Sequence, residues 1–291
     1  MIPDKEGAAT SPEGTCSSVH DAALFYDAVS SEFEDEYYGA NGDNAIQLDV
    51  ARFRGLLDRV LLRGGVVLEL GSGTGYWLRW LRECKGATAV GVDLSEEMCR
   101  KARARGSKYV VVADLSALPF REGAFDAVIA PYCALDHVEE YERAFREIAR
   151  VSASLSRLVL MVDNADRMIR IYWRVAHKRV QSLGGDPRAA GMWRHRVDGV
   201  EVEVFTKMFK VRELRVLLPD FRVRFFGVGF VTPLMPRWAR RKGSRSTLLM
   251  AVIRPVEALM SRCTPRLSAL LVVYGHRRRA LPDQAVTEPS E

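Results

Sequence analysis

The chain has 291 residues, 48% of them hydrophobic and 27% charged, enough to bury one large core or a core with a subdomain. No apolar run approaches the roughly 18 residues of a membrane span, and the N-terminus lacks the basic-then-apolar pattern of a secretory signal. The formal net charge of +6 conceals an asymmetry: residues 1–150 carry 17 Lys and Arg against 25 Asp and Glu, and residues 151–291 carry 26 against 12. A basic second half points to an anionic partner or to a solvated arginine-rich surface. The five cysteines (Cys16, Cys84, Cys99, Cys133, Cys263) form no CxxC pair. They read as reduced thiols of a cytoplasmic protein, with neither a disulfide framework nor a metal site.

In chain order, residues 1–20 are small and polar and are expected to form a disordered tail. Residues 21–64 follow as a helical cap, aromatic and acidic at first (Phe25, Tyr26, Phe33, Tyr37, Tyr38). Leu48, Phe53, Leu56, Leu57, Val60 and Leu61 then recur at helical spacing. Short apolar runs appear at 66–70, 88–92, 109–113, 125–130 and 157–162, separated by helical segments near 77–84, 96–105 and 139–151. Continuously apolar strands that alternate with helices imply a doubly wound, mostly parallel sheet covered on both faces. Residues 65–163 thus form a cofactor-binding half and 164–279 a second, substrate-side half. The second half is expected to hold a helix over 169–183 and a one-face-wet strand at Val200–Val204. A helix near 211–218 leads into a strand where Phe and Val alternate with Arg222 and Arg224. A basic helical insert over 231–268, a last strand at 270–274 and a tail over 280–291 complete it.

The first strand, Val66–Leu70, runs into Gly71-Ser72-Gly73-Thr74-Gly75 before a helix. Glycines here permit a sharp turn and let a ligand lie against bare backbone. The dinucleotide fingerprint requires a further glycine where this chain has Tyr76, so the ligand need not be a diphosphate. Glu69, two residues before the turn, would repel a phosphate but favour an ammonium or sulfonium group. Asp93 ends the second strand, where an acid typically takes a ribose diol, and Asp114 ends the third. Three acids at the carboxyl ends of consecutive strands converge on the crevice where open α/β sheets bind ligands.

Glu69–Gly75, Gly91–Ser95, Ala113-Asp114, Leu118-Pro119-Phe120 and Phe125-Asp126-Ala127 together resemble, in order and spacing, the successive motifs of class I Rossmann-like methyltransferases. The likeness is greatest to the quinone-biosynthesis and small-molecule group. It implies a seven-stranded sheet and S-adenosylmethionine as cofactor. By position, Glu69 and the Gly71, Ser72, Gly73 and Gly75 backbone would hold the methionine part, and Asp93 the ribose. Leu94 and Met98 would line the adenine slot, with Asp114 at the adenine amine and Leu115 and Pro131 completing the set.

After the fourth strand comes Pro131-Tyr132-Cys133-Ala134-Leu135-Asp136-His137. Ile129 and Ala130 replace the polar residue and first proline that mark base-amine methylation, which argues against that reaction. Cys133 is read as a packing residue. His137 is a candidate general base, because an unperturbed imidazole titrates near neutrality. Tyr26, Tyr37, Tyr132 and Trp173 are candidate acceptor contacts. Leu234, Met235 and Trp238 beside Arg240, Arg241 and Lys242 suggest peripheral contact with an anionic membrane. The expected acceptor is small or lipid-like, such as a quinone or prenylated compound. An RNA-modifying enzyme and a cofactor-binding module without catalysis are the alternatives.

Overall fold

The computed structural model describes residues 18–30, 44–166, 191–197, 200–230 and 244–279. The helix expected over 169–183, with Trp173, lies outside them. So do Tyr37, the basic segment 231–243 and the 280–291 tail. Helix α1 (Ser18–Val29) begins inside the segment expected to be a disordered tail, and α2 (Asn44–Val60) follows.

The cofactor half then alternates strand and helix as its apolar runs require. It comprises β1 (Val66–Leu70), α3 (Tyr76–Trp80) with a π turn over Leu81–Lys85, β2 (Thr88–Asp93), α4 (Glu96–Ala104) and β3 (Tyr109–Val112). Next come β4 (Phe125–Ala130), a 3-10 turn over Ala134–His137, α5 (Tyr141–Val151) and β5 (Ser152–Asp163). The second half contains β6 (Gly191–Val197), β7 (Val200–Thr206), α6 (Val211–Leu217), β8 (Phe221–Val228), α7 (Ser244–Cys263) and β9 (Leu270–Arg277).

Seven strands form one sheet in the order β3-β2-β1-β4-β5-β9-β8. β1 to β5 run parallel, and β9 is antiparallel to both β5 and β8. The strand order reverses between β1 and β4, which opens a crevice at the carboxyl ends of the parallel strands. The Val200–Val204 run is a strand, but it pairs with β6 in a separate two-stranded hairpin.

Side chains alternate between two apolar layers along each strand. Leu158, Leu160 and Val162 of β5 pack with Leu68, Leu70 and Phe145 on one face; Val159 and Met161 pack with Phe53, Leu57 and Trp77 on the other. All eleven of these side chains are no more than 1% exposed, and burial of each contributes about 1.5–3 kcal/mol. Two motifs seen in the sequence prove structural. Asp126 accepts from the Val66 N–H at 2.8 Å and so ties β4 to the start of β1. Arg150 donates to the Leu118 and Phe120 carbonyls while Glu147 accepts from the Leu118 N–H, which pins the loop after β3 onto α5.

Candidate functional site

The turn after β1 is built by left-handed backbone. Gly71, Gly73 and Gly75 have φ of 65°, 50° and 84°, values that an L side chain rarely adopts. At Gly71 a Cβ would fall on the Ala134 methyl, so the glycine lets the β4 turn close over the crevice. Gly75 serves a different purpose. Its Cβ would meet Ala102 and Ser107 at 3.1 and 2.8 Å, and it does not line the cavity. The sequence grouped it with the ligand contacts, whereas here it lets α3 pack against α4.

A cavity of about 1250 Å³ opens at the carboxyl ends of the parallel strands. Its walls include Glu69, Gly71, Ser72, Gly73, Asp93, Leu94, Met98, Asp114, Leu115 and Pro131, every cofactor candidate from the sequence except Gly75. Asp93 closes the turn: its Oδ2 accepts from the Gly73 N–H at 2.7 Å and its Oδ1 from the Ser95 N–H at 3.0 Å. Burial holds its carboxyl above the ordinary range, opposed by those N–H donors. Glu69 is 1% exposed, and its Oε2 is buried without a hydrogen-bond partner. Burial first, then the neighbouring Asp93, push the Glu69 carboxyl well above its usual value. A buried, unpartnered carboxylate oxygen costs about 1–3 kcal/mol. That cost is relieved by a cationic donor, so the residues present fit an α-ammonium group. Asp114 lies two residues beyond the end of β3, in the turn rather than at the strand end the sequence suggested; its Oδ1 accepts from the Ser116 N–H at 2.7 Å at the cavity wall.

The cavity continues past these residues to Phe25, Tyr26, Ile46, Tyr132, His137 and Leu270. Tyr132 and Cys133 have φ of 54° and 60°, two adjacent non-glycine residues in left-handed backbone. Strain of this kind, about 1–3 kcal/mol per residue, persists where surrounding structure enforces it. Here the Cys133 N–H donates to the Met161 carbonyl at 3.2 Å. The resulting turn places His137 against the hairpin, with Nδ1 3.0 Å from the Phe205 carbonyl and the Tyr26 ring edge-on at 5.8 Å. That contact requires the proton on Nδ1, so in the neutral ring Nε2 is the accepting nitrogen.

Three features had no signal in the sequence. Asp27 of α1 accepts from the Ser95 hydroxyl and from the Glu97 N–H, capping α4 and fastening α1 across the cavity mouth. Asp49 and Arg143 also reach the walls. Behind the turn, Cys133, Asp136 and Asp163 bring three potential ligand atoms within 4.8 Å of one another. Asp136 Oδ2 accepts from the Asp163 N–H at 2.7 Å, and Cys133 Sγ lies 3.8 Å from Asp163 Oδ1. Burial raises all three groups, Asp163 to about 6 and the Cys133 thiol well above its usual value, so Cys133 is no nucleophile at neutral pH.

Residues 68–181 match the family described as "Methyltransferase domain". An uncharacterised methyltransferase of Geobacillus sp. (strain WCH70) is 30% identical over 165 residues, covering 55% of this chain and 75% of that protein. The demethylmenaquinone methyltransferase of Thermus thermophilus is 41% identical over 101 residues, 33% of this chain and 46% of that enzyme. The chain therefore aligns with less than half the length of this second relative. The solved DhpI-SAM-HEP complex superposes with a TM-score of 0.60 at 18% identity, covering 90% of this chain and 99% of that one; it shares the fold. The crevice, its acids and these relatives together show that the chain belongs to the Rossmann-like S-adenosylmethionine-dependent methyltransferases, with S-adenosylmethionine as cofactor.

Proposed function

We propose that the chain transfers the methyl group to a small, apolar acceptor of quinone- or lipid-like character. The observation that carries this reading is the wall of Phe25, Tyr26, Ile46, Tyr132 and Leu270, which extends the cavity beyond the cofactor candidates. This apolar wall, with the charged Asp49 and Arg143 elsewhere in the same cavity, suits such a ligand. The cofactor supplies an electrophilic methyl on a sulfonium. In this reading Glu69 takes the α-ammonium, the Gly71–Gly73 backbone lies along the methionine part, and Asp93 accepts from the ribose hydroxyls. Leu94, Met98 and Leu115 flank the adenine, Asp114 accepts from its amine, and Pro131 bounds the methyl side. Tyr26 and Tyr132 bound the acceptor. His137 Nε2 is the candidate base for an acceptor hydroxyl, and alignment with water exclusion supplies the remaining acceleration.

A peripheral membrane contact accompanies this proposal. Among the described residues no helix is long and apolar enough to cross a membrane. Val252, Val256 and Leu259 of α7 are 62%, 43% and 68% exposed at i, i+4 and i+7, a single apolar stripe. Such a stripe, with the basic residues at 237–245 in the sequence, suits an anionic bilayer surface. RNA is the alternative partner, motivated by the basic second half.

The test is incubation of the purified chain with methyl-labelled cofactor and host extract separated into lipid, RNA and soluble metabolites. Label in the lipid or apolar fraction is expected, and it should disappear with Asp93→Ala. Label in RNA would replace this reading with the nucleic-acid one. Binding of cofactor without label in any fraction would leave a module without catalysis.

A further inference from the structure

At the opposite end of the sheet, three cationic or potentially cationic side chains meet across adjacent strands. Arg157 of β5 is paired directly with His276 of β9, and His276 directly with Arg222 of β8. Directly opposed residues of antiparallel strands project to one face, with Cβ atoms about 4.5–5.5 Å apart. On the next rung of the same face Arg224 lies opposite Tyr274. α2 covers this face farther along the sheet, through Phe53 and Leu57 on Val159 and Phe226. At this end its cover stops, and Leu62 is 68% exposed.

The result is a recess of about 820 Å³ with Arg59, Arg157, Arg215, Arg222, Arg224 and Arg278 in its walls and no acidic residue among the described residues that line it. None of these six arginines is in an ion pair with another described residue. Arg157 Nε is buried without a hydrogen-bond partner. Like charges set opposite one another on a sheet destabilise it, and a buried donor left unmade costs more. A bound anion reverses both terms.

We infer that this recess is a second binding site, for a small ligand carrying a diphosphate or several phosphate groups. Guanidinium forks match phosphate oxygens in pairs. The volume falls within the roughly 300–1000 Å³ of small-molecule sites. The arginines converge from two strands, two helices and the segment after β9 on one recess, and Tyr274 and His276 are the half-buried rings among the described residues of its wall. A polynucleotide would instead need a track of cations with exposed rings for stacking. The site is separate from methyl transfer: Leu270 borders the cofactor cavity and His276 borders this recess, and six residues of strand span about 20 Å. It does not rest on the identity of the acceptor.

The test is calorimetric titration of the full chain with inorganic pyrophosphate, with potassium chloride keeping ionic strength constant. Saturable one-to-one binding is expected. Arg222→Gln, at an exposed position, should weaken it about tenfold or more, and Arg157→Gln at least as much, with S-adenosylhomocysteine affinity unchanged in both. Should Arg157→Gln fail to fold, seen as lost S-adenosylhomocysteine binding, the Arg222 and Arg224→Gln variants decide the matter. Pyrophosphate heats no larger than dilution overturn the inference. So does equal binding by wild type and Arg222→Gln, or binding only of an RNA oligonucleotide or of phosphatidylglycerol vesicles.

Discussion

Glu69 is the residue whose energy depends most on a ligand. Its carboxyl is raised by burial and by Asp93, so in the free protein it holds its proton above the ordinary carboxylate range. A cationic ammonium at Oε2 favours the charged form and draws the proton off. Binding of S-adenosylhomocysteine should therefore release protons, and affinity should rise with pH until Glu69 is ionised in the free protein as well. Calorimetry in two buffers of different ionisation enthalpy measures the release. Glu69→Gln should abolish it and weaken binding about tenfold or more; unchanged proton release in the variant would contradict this assignment. At this scale the acids were legible in the sequence because each lies at or just beyond the carboxyl end of an apolar strand run. Gly75 was not separable from Gly71 and Gly73, since only the packed α4 shows which side of the turn a Cβ would strike.

Among the elements, α1 has the least internal reason to lie where it does. Two polar links hold it to α4: the Asp27 cap on Ser95 and Glu97, and the 2.8 Å hydrogen bond from Lys101 Nζ to Ser30 Oγ. Phe25 and Tyr26 ride on that attachment into the cavity. Asp27→Ala should loosen α1 without disturbing the sheet. S-adenosylhomocysteine should then dissociate about tenfold faster, with the melting temperature lowered by only a few degrees. Stopped-flow dissociation measures this, and an unchanged rate would mean that α1 does not cover the ligand. The parallel strands were readable from the sequence because burial on both faces leaves continuous apolar runs. The Val200–Val204 alternation gave the strand but not its partner: period two reports one wet face and says nothing of which strand lies alongside. The Asp27 link spans 68 residues and leaves no local pattern to read.

For the molecule as a whole, the buried acids set the pH dependence of stability. Asp163 is held at about 6 in the fold by burial, opposed by its contact with the Cys133 thiol, against an ordinary value of about 3.9. The folded state thus binds more protons between these values. The stabilisation is complete below about pH 4 and is lost as pH rises through about 6, at up to ~1.4 kcal/mol per pH unit. Asp163→Asn should flatten that fall by one proton, leaving the parallel contributions of Asp136, Asp93 and Glu69, which are raised in the same direction. Urea unfolding across this pH range measures it, and an unchanged slope would remove Asp163 from the account. The arginine recess at the far end of the sheet shows why charge counting reached only part of the way. A basic second half was plain in the sequence, but which arginines meet depends on the β5–β9–β8 register.

The central claim, that the glycine turn and Asp93 hold S-adenosylmethionine, is tested most directly by calorimetric titration with S-adenosylhomocysteine and, separately, with a nicotinamide dinucleotide. One-to-one binding of the first and none of the second is predicted. Asp93→Ala removes charge-assisted hydrogen bonds of about 1.5–3 kcal/mol and should weaken binding ten- to a hundredfold. Equal affinity in wild type and Asp93→Ala, or a preference for the dinucleotide, would contradict it.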